Sequence, residues 1–403
     1  MRILQINSTV NTGSTGRSAE ELGRLALDKG YESYIAYGRG NRPSASKLIR
    51  IGNMKDVAMH GLKTRVFDRH GFGSKRATTE LIKRIESVDP DVIGLHNLHG
   101  YYLNIEVLFD YLKASGKPAV WTLHDAWSFT GHCSNFDRLA CRKWQELCGK
   151  CLMKRRYPAS VVVDNSRRNF IEKKALFSGV RKLQLIVPSR WLAAHVRNSF
   201  LADYPLSVIH NGVNLGIFRP MDSAEDVALK FGTGSRKIVL GVSNIWSRSK
   251  GLSDFLLLSE KLGKQYVVVL VGLTRGQIKK LPSDIVGISR TENLTELAEL
   301  YSAADVFVNP TYADNFPTTN IEALACGTPV VTYNTGGSPE AIDECTGITV
   351  EKGDTSALAA AVVKVCESDR DRYRVACRSR AEKYFDKDER FLDYLNLYLS
   401  LVQ

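Results

Sequence analysis

Two carboxylates, Asp314 and Glu322, stand with seven residues between them in the stretch Ala-Asp-Asn-Phe-Pro-Thr-Thr-Asn-Ile-Glu-Ala that begins at Ala313. Carboxylates are pure acceptors, so a pair on one loop suits a ligand rich in hydroxyls. The same spacing has a plainer reading, because Thr319-x-x-Glu322 also matches a helix capping box. Upstream, Arg248 and Lys250 lie in Asn-Ile-Trp-Ser-Arg-Ser-Lys-Gly, residues 244–251, where two cations can neutralise phosphate charge or simply be solvated. His124, in Leu-His-Asp-Ala-Trp, can donate or accept a hydrogen bond near neutral pH, or serve only as a structural residue. Near the start, Asn-Thr-Gly-Ser-Thr-Gly-Arg-Ser over residues 11–18 offers Gly13, Gly16 and Arg17 at a loop that could approach a phosphate or a sugar. It matches neither the Walker A loop nor the dinucleotide fingerprint, and an ordinary glycine turn explains it too.

These residues need a scaffold, and the hydrophobic pattern supplies one. Short apolar runs at residues 3–7, 33–37, 91–95, 119–123, 183–187 and 206–209 read as strands, separated by helical patterns at 18–29, 79–87, 105–114, 164–177 and 189–200. Residues 40–75 read as irregular. A second alternation follows, with strands at 237–242, 266–271, 285–289, 305–309 and 329–333. Strand–helix alternation of this kind predicts doubly wound parallel sheets, with ligands beyond the carboxyl ends of the strands. His210-Asn211-Gly212 reads as the connection between the halves. Gly336-Gly337-Ser338-Pro339-Glu340 repeats the strand, glycine loop and helix arrangement.

The stretch from Asp314 through Glu322 to Ala-Leu-Ala-Cys-Gly-Thr-Pro-Val-Val resembles the donor-site motif of retaining glycosyltransferases of family 4, with Asp where the family usually has Glu. The Cys-rich insertion after His124-Asp125-Ala126-Trp127 is similar to that of bacterial exopolysaccharide and capsule-type members. The resemblance implies the GT-B fold, an α/β architecture of two Rossmann-like domains facing a cleft. It divides the chain into an acceptor-side domain over 1–210, with the insertion at about 127–160, a nucleotide-sugar domain over 211–385, and a helix over 386–403 crossing back to the first domain. By resemblance, His124, Asp314, Arg248 and Lys250 are the catalytic set. Gly13, Gly16, Arg17, Phe316, Pro317, Thr318, Thr319 and Glu322 bind the donor. From their place after another strand of the first half, His96, His99 and Tyr102 are candidates for acceptor contact. The implied reaction moves a sugar from a nucleotide diphosphate to a hydroxyl of a glycan or lipid-diphosphate acceptor, without a metal. A nucleotide-sugar epimerase of similar fold and a non-catalytic nucleotide-binding protein are the competing readings.

Composition narrows the setting. At 403 residues, 44% hydrophobic and 24% charged, the chain is an ordinary globular one of two to three domains. No signal-peptide core follows Met1 and no apolar run is long enough to cross a bilayer, so a cytoplasmic protein is expected. Its net charge of +12 is concentrated, because residues 138–182 hold 13 Lys and Arg against 3 acidic residues. That segment suits an anionic partner, and a peripheral contact with the inner face of an anionic membrane is expected there; no nucleic-acid module accompanies it. Cys133, Cys141, Cys148 and Cys151 include the Cys-x-x-Cys spacing of a structural zinc knuckle, with His132 able to replace one ligand and free thiols as the alternative.

Overall fold

Seven strands pair side by side into the first sheet, the central ones buried and the edge strand at Lys47–Arg50 mostly exposed. β1 (Arg2–Asn7), β2 (Glu32–Tyr37), β3 (Lys47–Arg50), β4 (Val92–Leu95), β5 (Ala119–Thr122), β6 (Leu183–Val187) and β7 (Leu206–Val208) are all parallel, in the order β3-β2-β1-β4-β5-β6-β7. β6, Leu-Gln-Leu-Ile-Val, is buried at every position, as a strand covered on both faces by crossover helices must be. The helices are α1 (Gly13–Asp28), α2 (Met54–Phe67), α3 (Lys75–Val88), α4 (Ile105–Ser115), α5 (Ser166–Phe177) and α6 (Arg190–Arg197). The computed structural model describes residues 1–40 and 42–402.

The second sheet repeats the plan with six strands. β8 (Lys237–Val242), β9 (Tyr266–Val271), β10 (Ile285–Ile288), β11 (Val306–Asn309), β12 (Val330–Tyr333) and β13 (Gly347–Val350) run parallel in the order β10-β9-β8-β11-β12-β13. Its helices are α7 (Ala224–Phe231), α8 (Leu252–Lys261), α9 (Arg275–Ile278), α10 (Leu294–Ala303), α11 (Thr318–Ala325), α12 (Thr355–Cys366) and α13 (Arg370–Tyr384). The Arg378 guanidinium donates to the carbonyls of Phe218 at 2.9 Å and Ala325 at 3.0 Å, which fixes the end of α11.

Two compact units result: Met1–Ile209 with Phe391–Gln403, and His210–Arg390. The last helix, α14 (Lys387–Ser400), passes from one to the other, and its Tyr394, Leu395 and Tyr398 pack with Ile3, Leu22 and Val120 of the first sheet and α1.

Three local expectations are corrected. Residues 40–75 are not irregular, since β3 and α2 lie there; α2 carries no apolar periodicity because it buries polar residues, His60 and Thr64. The strand β13 had no sequence reading, its face being only partly buried. The loop after β1 is shorter than residues 11–18, because Thr12 is the N-cap of α1 and Gly13 already lies in its first turn.

Candidate functional site

In the second unit the strand order reverses between β8 and β11, and the expected cations and carboxylates follow those two strands. After β8, Arg248–Lys250 form a 3-10 turn, with Arg248 exposed and Lys250 half-buried. After β11, Pro310 stops the strand and the chain turns back, the Tyr312 N–H donating to the Ser249 carbonyl at 3.0 Å. That stitch brings the two loops together. The Lys250 ammonium donates to Asp314 Oδ2 at 2.6 Å, with the side chains 36% and 22% exposed. The loop after β12 packs on the same segment. Gly336 has φ +57°, and a Cβ there would lie 1.7 Å from the Asp314 carbonyl oxygen, so the turn accepts no side chain.

Glu322 is not a capping residue. α11 begins after Pro317 with no side-chain cap, and Glu322 sits in its second turn, where its Oε2 accepts from the Tyr301 hydroxyl at 3.1 Å. Tyr301 is fully buried, and burial together with the Glu322 carboxylate holds its hydroxyl protonated far above the usual phenol range. Phe316 and Pro317 are buried, so only their backbone can meet a ligand; Thr318 and Thr319 are partly exposed. The Phe316 ring stacks on His210, centroids 4.7 Å apart at 18°, and Asn211 Nδ2 donates to the Phe316 carbonyl at 3.1 Å.

Beneath these groups lies support that the sequence did not reveal. Asn320 accepts from Asn309 Nδ2 at 2.7 Å and donates to the Ser338 hydroxyl at 2.9 Å, which in turn bonds with Thr332 at 2.6 Å. Buried Asp254, on α8, accepts at one oxygen from Tyr312 at 2.9 Å and Tyr333 at 2.7 Å. An Asp in a helix and two tyrosines far along the chain carry no shared signal in one sequence.

The first unit has its own reversal of strand order, between β1 and β4. Gly13 and Arg17 are exposed there at the start of α1, while Gly16 is buried. Beyond β4 and β5, His96, His99, His124 and Asp125 line one recess. Gln5 donates its amide to the Ala19 carbonyl at 2.8 Å, so its Oε1 must accept from His96 Nε2 at 3.0 Å. His96 Nδ1 is then an acceptor, and His124 Nε2, 3.3 Å away, carries the proton. Burial lowers His96 to about 3 and His124 to about 4, so both imidazoles are neutral at pH 7, and His124 Nδ1 is an acceptor atom.

His99 is held on both sides, Nε2 to Asp125 Oδ2 at 2.8 Å and Nδ1 to the Tyr157 hydroxyl at 3.0 Å. Tyr102 is a correction. Its side chain is 1% exposed and its hydroxyl donates to the Asn97 carbonyl at 2.7 Å, so it is a packing residue and cannot touch an acceptor. The turn at 126–130 rests on Lys173, whose ammonium donates to the Trp127 and Thr130 carbonyls at 2.6 and 3.1 Å. Burial lowers this lysine to about 7.

The four cysteines of the insertion, with His132, Trp144 and Met153, line one cavity of about 30 Å³. Cys148 Sγ accepts the Gly131 N–H at 3.3 Å, and the thiols of Cys133 and Cys151 share a hydrogen bond that lowers Cys151 and raises Cys133. His132 Nδ1 is committed to Asp68 at 2.5 Å. Among the described residues no three His, Cys, Asp or Glu side chains gather as a group able to hold a metal ion. The donor chemistry suits zinc, but the thiols do not form a coordination shell.

Comparison with known proteins places these features. Residues 15–216 match the sequence model described as Glycosyltransferase Family 4, and residues 236–368 match that described as Glycosyl transferases group 1. A protein of Escherichia coli strain K12 named for colanic acid biosynthesis, the glycosyl transferase WcaC, is 27% identical over 371 residues, 87% of this chain and 88% of that one. A D-inositol 3-phosphate glycosyltransferase of Mycobacterium tuberculosis strain F11 is 32% identical over 194 residues, 44% of this chain and 40% of that one. Among solved structures, sucrose-phosphate synthase from Thermosynechococcus elongatus superposes with a TM-score of 0.73 at 18% identity, covering 99% of this chain and 98% of that one. Anabaena HepE in complex with UDP gives 0.69 at 16%, covering 99% and 100%. At these identities the superpositions speak for the fold, which is GT-B.

Proposed function

This chain belongs to glycosyltransferase family 4, and we propose that it transfers a sugar, with retention, from a nucleotide diphosphate sugar to a hydroxyl of a lipid-linked bacterial polysaccharide intermediate. The observation that carries this is the Lys250–Asp314 pair at the reversal of strand order between β8 and β11, with Glu322 in α11, the helix that follows the same loop. HepE is found in complex with UDP, and WcaC is named for colanic acid biosynthesis; both likenesses support the donor and pathway class.

Each residue then has a task its geometry permits. An ammonium has three donors, so one bond to Asp314 leaves two for a diphosphate. Asp314 thus aims Lys250, and with Arg248 the pair supplies charge to the departing phosphate without a metal. The N-terminus of α11, without a side-chain cap, adds backbone donors from Thr318 and Thr319. Tyr301 occupies one lone-pair position of Glu322 and orients the carboxylate toward the adjacent hydroxyls of a ribose. On the first unit, Gly13, Arg17 and His124 keep the donor-contact role that the family resemblance gives them. An acceptor hydroxyl meets Tyr157, backed by His99 and Asp125. The acceptor's proton leaves with the phosphate oxygen on the same face of the sugar. The carrier lipid keeps the protein at the inner face of the membrane through the basic segment 138–182; among the described residues no helix is long and apolar enough to cross it.

The test is a thermal-shift screen of UDP-, GDP- and ADP-sugars, followed by nucleotide release with and without acceptor. A ligand at 100 times its Kd should stabilise by about 2.7 kcal/mol. Release that depends on acceptor supports transfer. Release without acceptor, or binding indifferent to Asp314→Ala and Glu322→Ala, overturns it.

A further inference from the structure

Arg39 and Arg65 of the first unit carry charge that no acid answers. Arg39 follows β2, and its N–H donates to the carbonyl of Ser8, just after β1, at 2.9 Å. That bond sets the residue beyond the carboxyl ends of both strands. Its Nε is buried without a hydrogen-bond partner. Arg65 lies exposed in the last turn of α2. Among the described residues no ion pair engages either guanidinium. Tyr101 links the two. Its ring centroid lies 5.8 Å from the Arg39 guanidinium carbon, and its hydroxyl, raised by burial, is drawn back down by the charges of Arg65 and Arg39.

The backbone under this cluster is strained. Tyr101 has φ +67°, a conformation bulky residues rarely adopt, and such strain collects where a ligand is held. Gly100 before it has φ +124°, and a Cβ there would lie 3.0 Å from Ser8 Cβ and 3.6 Å from Arg39 Nη2, so its bare backbone leaves the guanidinium its room. The floor is aromatic: the Tyr101 ring lies 4.7 Å from His70 and 6.2 Å from the half-exposed Tyr157, centroid to centroid. Burial keeps His70 neutral, and its Nε2 accepts the Gly100 N–H at 3.1 Å, so the proton sits on Nδ1, a second buried donor without a partner. Asp125, the acid of the neighbouring recess, is already bonded to His99 at 2.8 Å. The unmatched groups are all donors, and buried donors in native proteins find acceptors.

We propose that Arg39, with Arg65 as a second charge, binds an anionic group on the acceptor, a sugar phosphate or a uronate carboxylate, while Tyr101 and Tyr157 hold the sugar ring that bears it. A guanidinium meets either anion through two parallel N–H bonds, and aromatic faces suit the rest of a small saccharide. The cluster joins the ends of β1 and β4, where the strand order of this unit reverses and a ligand is expected. The inference rests on the glycosyl transfer proposed above and deepens it: the acceptor is selected by its charge, through residues outside the donor set.

The experiment is a ligand-observed NMR titration of the full chain with glucose 1-phosphate, glucuronate and methyl glucoside. The parent is compared with Arg39→Gln, Arg39→Lys, Arg65→Gln and Lys250→Ala, each checked for an unchanged unfolding temperature. Should Arg39→Gln unfold, Arg65→Gln, at an exposed position, carries the test. Expected is binding of a charged probe but not of methyl glucoside, with affinity lowered about tenfold by Arg39→Gln, less by Arg39→Lys and Arg65→Gln, and not at all by Lys250→Ala. Dependence on Arg39 for glucose 1-phosphate alone assigns a phosphate-bearing acceptor, and for glucuronate alone a uronate. No binding of either charged probe, equal binding of all three, or indifference to the arginine variants overturns the anion site. Binding lost only in Lys250→Ala places the anion at the donor loops, which overturns this site and leaves the transfer reading standing. Arg39-dependent binding in a chain that no nucleotide sugar stabilises keeps the anion site and overturns the transfer reading.

Discussion

Lys250 has two partners to satisfy, and that determines what its removal does. In the structure it is bonded to Asp314, and in the proposed reaction it also faces the leaving phosphate. Lys250→Ala should therefore lower kcat about 10²- to 10³-fold, the range for loss of one oriented donor, read from the rate of nucleotide release. A change in KM alone would place Lys250 outside the chemical step. Glu322 calls for a subtler variant. Glu322→Ala leaves the buried Tyr301 hydroxyl without its acceptor, a defect of about 1–3 kcal/mol that would be confused with lost binding. Glu322→Gln keeps an oxygen for Tyr301, so it should raise the donor KM with little loss of unfolding temperature. At this scale the acids and cations were legible because loops after apolar runs expose them. Tyr102 misled because its position after a strand says nothing of where its ring points, and the ring points into the core.

The loop after β11 is shaped by elements that never approach the ligand. Asp254 on α8 anchors both Tyr312 and Tyr333, and burial with that carboxylate nearby raises both phenols, Tyr333 well above its usual range. Asp254→Ala should free the loop. The expected signs are a fall of several degrees in unfolding temperature and a loss of kcat that Asp254→Asn, which keeps an acceptor, partly restores. Equal activity of the parent and Asp254→Ala would show that the anchor does not reach the site. Strands and helices with a clean hydrophobic period were readable from the sequence, β6 to the residue. α2 was not, because its apolar residues follow no period and the positions it buries, His60 and Thr64, are polar. β13 was not, because a strand half in contact with solvent has too few apolar positions to stand out. The four-cysteine spacing was legible as a cluster, and the four side chains do line one cavity.

Across the whole molecule, the first unit depends on groups buried neutral and on a segment from the far end of the chain. Burial lowers His60 and His96 to about 3 and His124 to about 4, and puts His70 well below its ordinary value. The unfolded chain takes up protons near 6.5 and the folded one does not. The stability these residues contribute is therefore complete above pH 6.5 and declines as pH falls toward 4, by about 1 kcal/mol per pH unit for each. Urea midpoints should drop between pH 7 and pH 5, and equal midpoints would mean that the imidazoles are charged in place. Tyr398 lies against Gly94 in β4, where an added Cβ would come 2.4 Å from its hydroxyl. Gly94→Val should push α14 off the sheet and destabilise the first unit by more than 2 kcal/mol, roughly the upper range for overpacking, in a calorimetric scan.

The route of the chain also orders its own assembly. The second unit is complete once Arg390 has been made, whereas the first still lacks Tyr394, Leu395 and Tyr398. Domains usually form in the order in which they leave the ribosome. Here the half that is translated first is the half that closes last, and until then the apolar groove around Ile3 and Val120 waits open for a tail not yet synthesised.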